Sequence, residues 1–370
     1  MIRIYEPLIT EKTKEYALDA INSGWISSQG QYIDKASAKL KEILKTDNLF
    51  LISNGTTATH CVSKAINLKY PLIDKLIVPN NVYVAAWNSF LLDKTYKSLV
   101  SVDCDLETWN YDITKLQNLL DITDFNTTAL LVVHNLGNII DVPALKQKYP
   151  KLVVVEDNCE GLFGKYGEDY SGTKSFSSSV SFFGNKNITS GEGGAVIVND
   201  SDTLDYLRSF ISQGTTSKRF VHDKIAHNYR MTNVQAALLY GQLESLDEIL
   251  DIKKRMFDRY LDGFSNCSKA HPQKIVESTQ HANWMFGIRF ESDKDYEAVS
   301  KELMDAGIET RPMFYCYTEH RYLNHLITSF DNNNNAIKLN QKSIVLPSHP
   351  LLTNEQIDYI IKTTKSILGE

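Results

Sequence analysis

Short apolar runs alternate with helical patterns along the first half of the chain, and this alternation most narrows the possible folds. Seven runs have the composition of buried strands: 49–52, 76–79, 98–102, 129–134, 152–156, 180–183 and 195–198. Strands separated by helices in this way form a mostly parallel sheet wrapped by helices on both faces. We therefore predict an α/β fold built on a mostly parallel, seven-stranded sheet.

The chain of 370 residues is long enough for one large domain and a smaller second one, each with its own core. A helical pattern over 232–259, with apolar residues at steps of three and four, is typical of a connector leaving the large domain. We place the boundary near residue 245, giving a large α/β domain (1–245, with an N-terminal segment) and a small C-terminal α+β domain (246–370). The polar tract 331–336 predicts a surface turn.

Composition excludes several classes of function. The net charge of −6 gives no basic footprint for nucleic acid. The five cysteines are widely spaced with no C-x-x-C pair, which indicates neither a metal site nor a disulfide framework. The N-terminal residues lack a signal pattern, and no apolar run approaches membrane-spanning length. We expect a soluble cytoplasmic protein with no membrane partner and no metal.

Lys186 is the first candidate for chemistry. It follows the apolar end of a predicted strand, is separated from it by Gly184 and Asn185, and precedes a glycine-rich turn at 191–194. A lysine at such a strand end is partly desolvated, and desolvation favours the neutral amine that attacks a carbonyl carbon. The pattern therefore favours Schiff-base chemistry, against the alternative of a solvated loop lysine.

Asp157 is the second candidate. The apolar run 152–156 leads directly into it, and open α/β sheets bind ligands at the carboxyl ends of their strands. In enzymes that use pyridoxal 5′-phosphate (PLP), a carboxylate pairs with the pyridinium nitrogen and keeps it protonated. Asp157, followed about thirty residues later by Lys186, fits that pair. A helix N-cap is the alternative for Asp157.

A possible phosphate cradle completes the set. Gly55 and Thr56 follow the strand 49–52 and open a helical pattern. Backbone N–H groups at a helix start, supported by the helix dipole, favour an anion there. Such turns also cap helices with nothing bound, so this motif gains weight only beside Asp157 and Lys186.

With these elements in order, the chain resembles the DegT family of sugar aminotransferases, which are PLP enzymes of fold type I, the aspartate aminotransferase type. Within that family it is most similar to the GDP-perosamine synthase-like 4-aminotransferases. Eight segments carry the resemblance: 5–7, 25–33, 54–58, 78–88, 156–160, 181–194, 228–237 and 309–315. Their order along the whole chain makes the combination far more specific than any one segment.

The resemblance implies further cofactor contacts. Tyr83 would stack on the pyridine ring, Ser181 would bind the phosphate, and Glu160 would lie near the phenolic oxygen. Many members carry Gln or His in place of Glu160, although perosamine synthase-like members also have Glu. A glutamate there must be protonated or paired, because otherwise it would face the oxyanion of the cofactor. Asn228 and Arg230 match a segment that crosses from a neighbouring subunit, where Asn228 would contact the cofactor phosphate and Arg230 the substrate, which implies a homodimer. Each residue also has a purely structural alternative: Tyr83 would be a core tyrosine, Ser181 an ordinary strand serine, Glu160 a solvated surface residue, and 228–230 a solvated loop ahead of a helix.

The resemblance also implies a substrate side, formed by Trp25, Arg311, Tyr315 and His320. An arginine fork suits a diphosphate. The alternatives are that Trp25 anchors the N-terminal segment to the core and that Arg311 only holds the domain surface.

The activity that follows from the resemblance is a two-stage amine transfer. Lys186 would carry PLP and then move protons, while L-glutamate gives its amino group to C4 of a nucleotide-linked 4-keto-6-deoxyhexose. The product would be a 4-amino-4,6-dideoxy sugar of the perosamine or viosamine type. A dehydratase branch of this fold uses His in place of the lysine, and Lys186 argues against it. A 3-aminotransferase, or a non-enzymatic regulator that retains the fold, are the alternatives.

Overall fold

The computed structural model describes residues 1–93 and 95–370. Within them the strands, in chain order, are β1 Leu49–Ile52, β2 Lys75–Pro79, β3 Ser98–Val102, β4 Thr128–Val133, β5 Val153–Asp157, β6 Lys165–Tyr166, β7 Asp169–Tyr170, β8 Ser177–Ser181, β9 Gly194–Val198, β10 Ala270–Pro272, β11 Thr279–Gln280, β12 Phe286–Phe290, β13 Arg311–Pro312, β14 Ile327–Ser329 and β15 Ser343–Leu346. The helices are α1 Glu11–Asn22, α2 Gln31–Leu44, α3 Gly55–Lys69, α4 Ala85–Leu91, α5 Ile113–Leu120, α6 Val142–Lys148, α7 Ser201–Phe210, α8 Asn233–Glu244, α9 Leu246–Phe264, α10 Tyr296–Asp305, α11 Asn334–Gln341 and α12 Asn354–Leu368.

The main sheet has the strand order β1-β9-β8-β5-β4-β2-β3-β14. Neighbours from β8 to β14 run parallel, whereas β9 is antiparallel to both β8 and β1. Strands β4, β5, β8 and β9 are buried along their whole length, as expected for a sheet covered on both faces. The predicted α/β architecture with a mostly parallel sheet is confirmed.

The sheet has eight strands rather than the seven predicted. All seven predicted strands are present, and the eighth is β14, which pairs parallel with β3 and places Ile327 opposite Leu99. Its three residues contain no apolar run, so the sequence pattern gave no signal for it.

Strand β8 also starts earlier than the apolar pattern predicted. Its first residues are buried serines whose hydroxyls are satisfied inside the protein: Ser177 donates to the Ile197 carbonyl (2.9 Å) and Ser178 to that of Gly172 (2.7 Å). Polar residues can therefore occupy this central strand because their hydrogen bonds are made internally.

The tract 331–336 is more than the predicted surface turn. Asn333 is buried and accepts a hydrogen bond from Asn80 (2.9 Å), while the buried Asp103 carboxylate accepts from the backbone N–H groups of Asn335 (2.9 Å) and Ala336 (3.0 Å). A carboxylate at the start of α11 satisfies free helix donors and complements the helix dipole. This buried network fixes the C-terminal region to the edge of the main sheet.

The predicted connector over 232–259 is two helices. Helix α8 begins with a capping box between Thr232 and Gln235 and packs on α1 and α2, and α9 continues after a break at Ser245. Helix α9 leads to an antiparallel sheet of order β10-β12-β15-β13, whose core it shares with α10 and α12. The break between the two helices at Ser245 coincides with the proposed domain boundary, which itself stays a prediction.

No helix within residues 1–93 and 95–370 is both long and apolar enough to cross a membrane.

Candidate active site

The start of helix α3 forms a cradle of free backbone donors. The Asn54 side chain caps the helix by accepting from the Thr57 N–H (2.9 Å). The N–H groups of Gly55 and Thr56 have no acceptor among the described residues. Free N–H groups at the positive end of a 15-residue helix favour an anion.

Gly55 brings this helix start against Ser181, the last residue of β8. A Cβ added to Gly55 would lie 2.8 Å from Ser181 Cβ and 3.0 Å from its Oγ, which is too close for any larger residue without a shift. The Ser181 Oγ accepts from the Phe183 N–H (3.2 Å), so its own proton remains available to a ligand. Gly55 and Ser181, far apart in sequence, therefore lie side by side, and we call the free donors of Gly55, Thr56 and Ser181 the cradle.

Asp157 ends β5 beside this cradle and is only 7% exposed. Its Oδ1 accepts from the Cys159 N–H (3.1 Å) and from Ser179 Oγ (3.4 Å), while Oδ2 has no hydrogen-bond partner among the described residues. The residues after Asp157 form turns rather than a helix, so the N-cap alternative is wrong. The carboxylate is held by one oxygen and can accept from a ligand through the other.

Glu160 is buried near the same carboxylate. Its Oε2 accepts from the Leu136 N–H (2.9 Å), and burial raises the pKa of its carboxyl group to about 7. The charge of Asp157 raises this pKa further, whereas Lys186 and the Leu136 hydrogen bond lower it. The alternative of a solvated surface glutamate is wrong, and a large protonated fraction is expected at neutral pH.

Lys186 lies in a turn after β8, half-buried, and its charge acts on both Glu160 and Cys159. Its Nζ lies 3.7 Å from the centroid of the Trp284 ring, and its carbonyl oxygen accepts from the Tyr5 hydroxyl (2.7 Å). The alternative of a solvated loop lysine is therefore wrong. The structure brings the amine, Asp157 and Glu160 to one edge of the sheet.

Two of these neighbours, Tyr5 and Trp284, were missed as site residues. Tyr5 belongs to the first segment of the family resemblance, which gave a signal without a role. Trp284 belongs to an apolar stretch of the predicted small domain, which carries no signal for a site residue. Its contact with Lys186 joins residues 98 positions apart, and no sequence period predicts such a pair.

Tyr83 lies between β2 and α4 and is 60% exposed, with its ring 6.1 Å from that of Phe314. A buried core tyrosine, the alternative for this position, is wrong. The open ring face is compatible with stacking, which stays a prediction.

The 228–230 segment packs beside the cradle of its own chain, because the Tyr229 carbonyl accepts from the Ser53 N–H (2.8 Å). Arg230 Nε donates to Ser28 Oγ (3.0 Å), and Asn228 is exposed. No hydrogen bond or ion pair described joins either residue to Asp157 or Lys186. Their roles across a subunit interface stay predictions.

No contact described joins the four residues of the predicted substrate side to one another. Trp25 is 57% exposed and only its backbone is anchored, through Asn233 (2.6 Å). The remaining three are an exposed Arg311 paired with Glu309 (2.8 Å), an exposed Tyr315, and His320 with its ring 5.8 Å from that of Trp87. No contact described links any of them to Lys186.

No cluster of three or more His, Cys, Asp or Glu side chains with metal-binding geometry occurs in the described part of the chain.

Comparisons with known proteins agree with this geometry. The model of the DegT/DnrJ/EryC1/StrS aminotransferase family matches residues 7–365. GDP-perosamine synthase of Escherichia coli O157:H7 is 35% identical, with 100% of this chain and 99% of that protein covered, and the Vibrio cholerae enzyme of the same name is 32% identical, with 99% of each covered. An E. coli GDP-4-keto-6-deoxy-D-mannose-3-dehydratase with bound hydrated PLP superposes with a TM-score of 0.90 at 19% identity, covering 98% of this chain and 99% of that one. That last likeness establishes the fold.

Proposed function

The chain belongs to the DegT/DnrJ/EryC1/StrS aminotransferase family, and we propose that it is a PLP-dependent aminotransferase acting on a nucleotide-linked sugar. It transfers the amino group of L-glutamate to C4 of a 4-keto-6-deoxyhexose carried by a nucleoside diphosphate, and GDP is the nucleotide in the name of the two perosamine synthases compared above. The product is a 4-amino-4,6-dideoxy sugar of the perosamine or viosamine type. The observation that carries the proposal is the convergence of an amine, a carboxylate and an anion cradle at one sheet edge.

The residues present fit PLP, a flat ring with a phosphate, an aldehyde and a basic nitrogen. The cradle of Gly55, Thr56 and Ser181 offers donors to the phosphate. The free Oδ2 of Asp157 suits the protonated ring nitrogen, and Lys186 is the amine that carries the aldehyde. Bound there, PLP supplies an electron sink for the charge left when a substrate proton is removed.

The side chains around the cofactor have distinct tasks. Asp157 would present its free Oδ2 to the ring nitrogen in a fixed orientation, because the Cys159 N–H and the Ser179 hydroxyl hold Oδ1 in place. Glu160, with its pKa raised to about 7, holds a proton that it can donate toward the phenolic oxygen. Lys186 Nζ removes and returns the proton of the reacting carbon. Tyr83 provides an aromatic wall.

We propose that the active enzyme is a homodimer in which Asn228 and Arg230 serve the partner's site. The loop that precedes them, 214–227, exposes Phe220 (82%) and Ile225 (97%). Large apolar side chains at such exposure mark interaction surfaces. A soluble, cytoplasmic enzyme fits substrates of this polarity.

On the substrate side we propose that Trp25, Arg311, Tyr315 and His320 face the sugar nucleotide. Arg311 would exchange its pairing with Glu309 for the diphosphate, which is the better bidentate acceptor. We propose that the chain divides into a large domain, 1–245, and a small domain, 246–370, and that the substrate binds where the two domains meet.

Visible absorption tests the proposal. The protein with added PLP is recorded alone, after L-glutamate, and then with GDP-, UDP- or dTDP-4-keto-6-deoxyhexose in parallel. We expect a PLP band that fades with glutamate and returns with one nucleotide sugar, and NMR of the product places the amine at C4. Absence of a band contradicts the proposal, and an amine at C3 identifies the 3-aminotransferase. Lys186→Ala is the control that should show no cycle.

A further inference from the structure

Trp284 presents its indole face to the amine of Lys186. The 3.7 Å from Nζ to the ring centroid lies well inside the range of a cation–π contact. Trp284 is 6% exposed, so water competes little for the amine on that side. A protonated lysine in this position is stabilised by the ring.

The indole is fixed at both ends. Its Nε1 donates to the carbonyl oxygen of Asn185 (2.8 Å), the residue before Lys186. The backbone carbonyl oxygen of Trp284 accepts from Nζ of Lys253 (2.7 Å). Lys253 is a fully buried lysine of α9 that also donates to the Ser348 carbonyl. The ring is therefore held by the turn that carries Lys186 and by the small domain behind it.

The groups behind the ring do not compete with Lys186 for its face. Burial lowers the pKa of Lys253 well below its ordinary range, and burial lowers that of His281, which Lys253 influences, to about 3. The Nζ of Lys253 lies over the rings of Tyr5 (5.3 Å to the centroid) and Phe257 (5.9 Å), and no contact described places it over the ring of Trp284. Lys186 is accordingly the cation that the indole meets.

We propose that Trp284 is a positioning residue for Lys186: its indole face holds the amine whenever Lys186 is not attached to the cofactor. The inference rests on the proposed function, in which Lys186 must be released and must then carry protons at a fixed place. A lysine free to move into solvent would lose that position. No ion pair described joins Lys186 to a carboxylate. The ring therefore keeps the amine at the site without the strong hold of an ion pair.

Tryptophan fluorescence of the full chain without cofactor tests the contact. Lys186→Met removes the charge beside the indole and should shift or strengthen the emission in the wild-type background. In a Trp284→Phe background the same change should have no effect, whereas the exposed Trp25, replaced by Phe, is a matched control that keeps the response. An equal response with and without Trp284, or none at all, overturns the inference.

A second measurement needs no Lys186 variant. Trace acetylation followed by peptide mass spectrometry compares Lys186 with the exposed Lys14 as internal reference. At neutral pH we expect Lys186 in Trp284→Leu to react about tenfold faster than in the wild type, because the indole no longer covers the amine, and Trp284→Phe to fall between. Equal rates in the three proteins overturn the inference.

Kinetics separate this inference from the proposed function. Trp284→Leu should slow both stages of transfer about tenfold, and Trp284→Phe should recover most of the loss. A chain that never binds PLP overturns both proposals. If the protein binds PLP and turns over, but replacing Trp284 changes neither the fluorescence response to Lys186→Met nor the acetylation rate of Lys186, this inference alone is overturned.

Discussion

The cofactor side and the substrate side of the proposed site differ in how firmly a single chain holds them. The cofactor side comprises Gly55, Thr56, Asp157, Glu160, Ser181 and Lys186, and the substrate side comprises Trp25, Arg311, Tyr315 and His320. On the first, Asp157 and Glu160 are 7% and 6% exposed and bonded to backbone N–H groups. On the second, Trp25 is 57% exposed and the Arg311 side chain 59%.

This difference indicates two ways of building a site. The cofactor side is preorganised, because its groups lie at strand ends and a helix start of the main sheet and lose little freedom on binding. The substrate side is more open to solvent: Arg311 lies in the short strand β13, and Trp25 follows α1, with both side chains exposed. Substitutions on the cofactor side should therefore affect the chemical step, and substitutions on the substrate side should affect binding.

Asp157→Ala should have the largest effect of the substitutions on the cofactor side. Loss of the charge at the ring nitrogen should lower kcat by at least about a hundredfold, because the electron sink is no longer maintained. Folding should change much less, since the carboxylate has one free oxygen. Steady-state kinetics and thermal unfolding check this, and a variant that loses stability but keeps kcat would contradict it.

Gly55→Ala tests the cradle itself. The added Cβ would approach Ser181 Cβ to 2.8 Å, and overpacking of this kind costs about 1–3 kcal/mol. We expect PLP affinity to fall about five- to 150-fold, as measured by titrating the absorption band. Gly167→Ala is the matched control, because nothing lies within 4 Å of a Cβ there, although its positive φ adds some backbone strain. Equal affinity in both variants would remove the cradle from the proposal.

Glu160→Gln tests the protonation that the buried carboxyl requires. Because burial raises its pKa from 4.5 to about 7, the native chain binds a proton more tightly than the unfolded one. This tighter proton binding adds at most roughly 3 kcal/mol to the free energy of unfolding. The contribution is present below pH 4.5 and is lost as pH rises through 7. In Glu160→Gln this loss between pH 4.5 and 7 should disappear. Chemical unfolding of the full chain without cofactor over that range measures it.

An unchanged pH profile of unfolding in the variant would show that another group causes the dependence. With cofactor bound, Glu160→Gln should also flatten the pH dependence of kcat near 7 and lower kcat about tenfold, since an amide donates a hydrogen bond but cannot exchange its proton.

Much of the cofactor side could be predicted because it follows from local rules. Asp157 ends an apolar run, Gly55 and Thr56 open a helix after a strand, and Lys186 follows a broken strand. These patterns depend on chain geometry within a few residues. They place each group at the same edge of a parallel sheet, and the structure brings them together there.

What could not be predicted depends on contacts between distant segments. Strand β14 has no apolar run and is held by its pairing with β3, while Asp103 accepts from the backbone N–H groups of the following helix α11, so only the folded chain reveals it. The contact of Trp284 with Lys186 and the buried position of Lys253 have the same origin. Polar residues satisfied by tertiary hydrogen bonds resemble surface residues in the sequence, which is why 331–336 predicted an exposed turn.

Arg311→Ala should have the smallest effect and sharpens the comparison from the substrate side. Since the Arg311 side chain is exposed and pairs with Glu309, its removal costs little stability, and surface ion pairs contribute at most about 1 kcal/mol. We expect KM for the sugar nucleotide to rise about tenfold with kcat and glutamate KM unchanged, because a diphosphate contact is lost equally from ground and transition states. Arg259→Ala, which removes an exposed pair with Asp358 on α9 and α12, is the control. A fall in kcat with unchanged KM would instead place Arg311 with the preorganised groups and remove the distinction between the two sides.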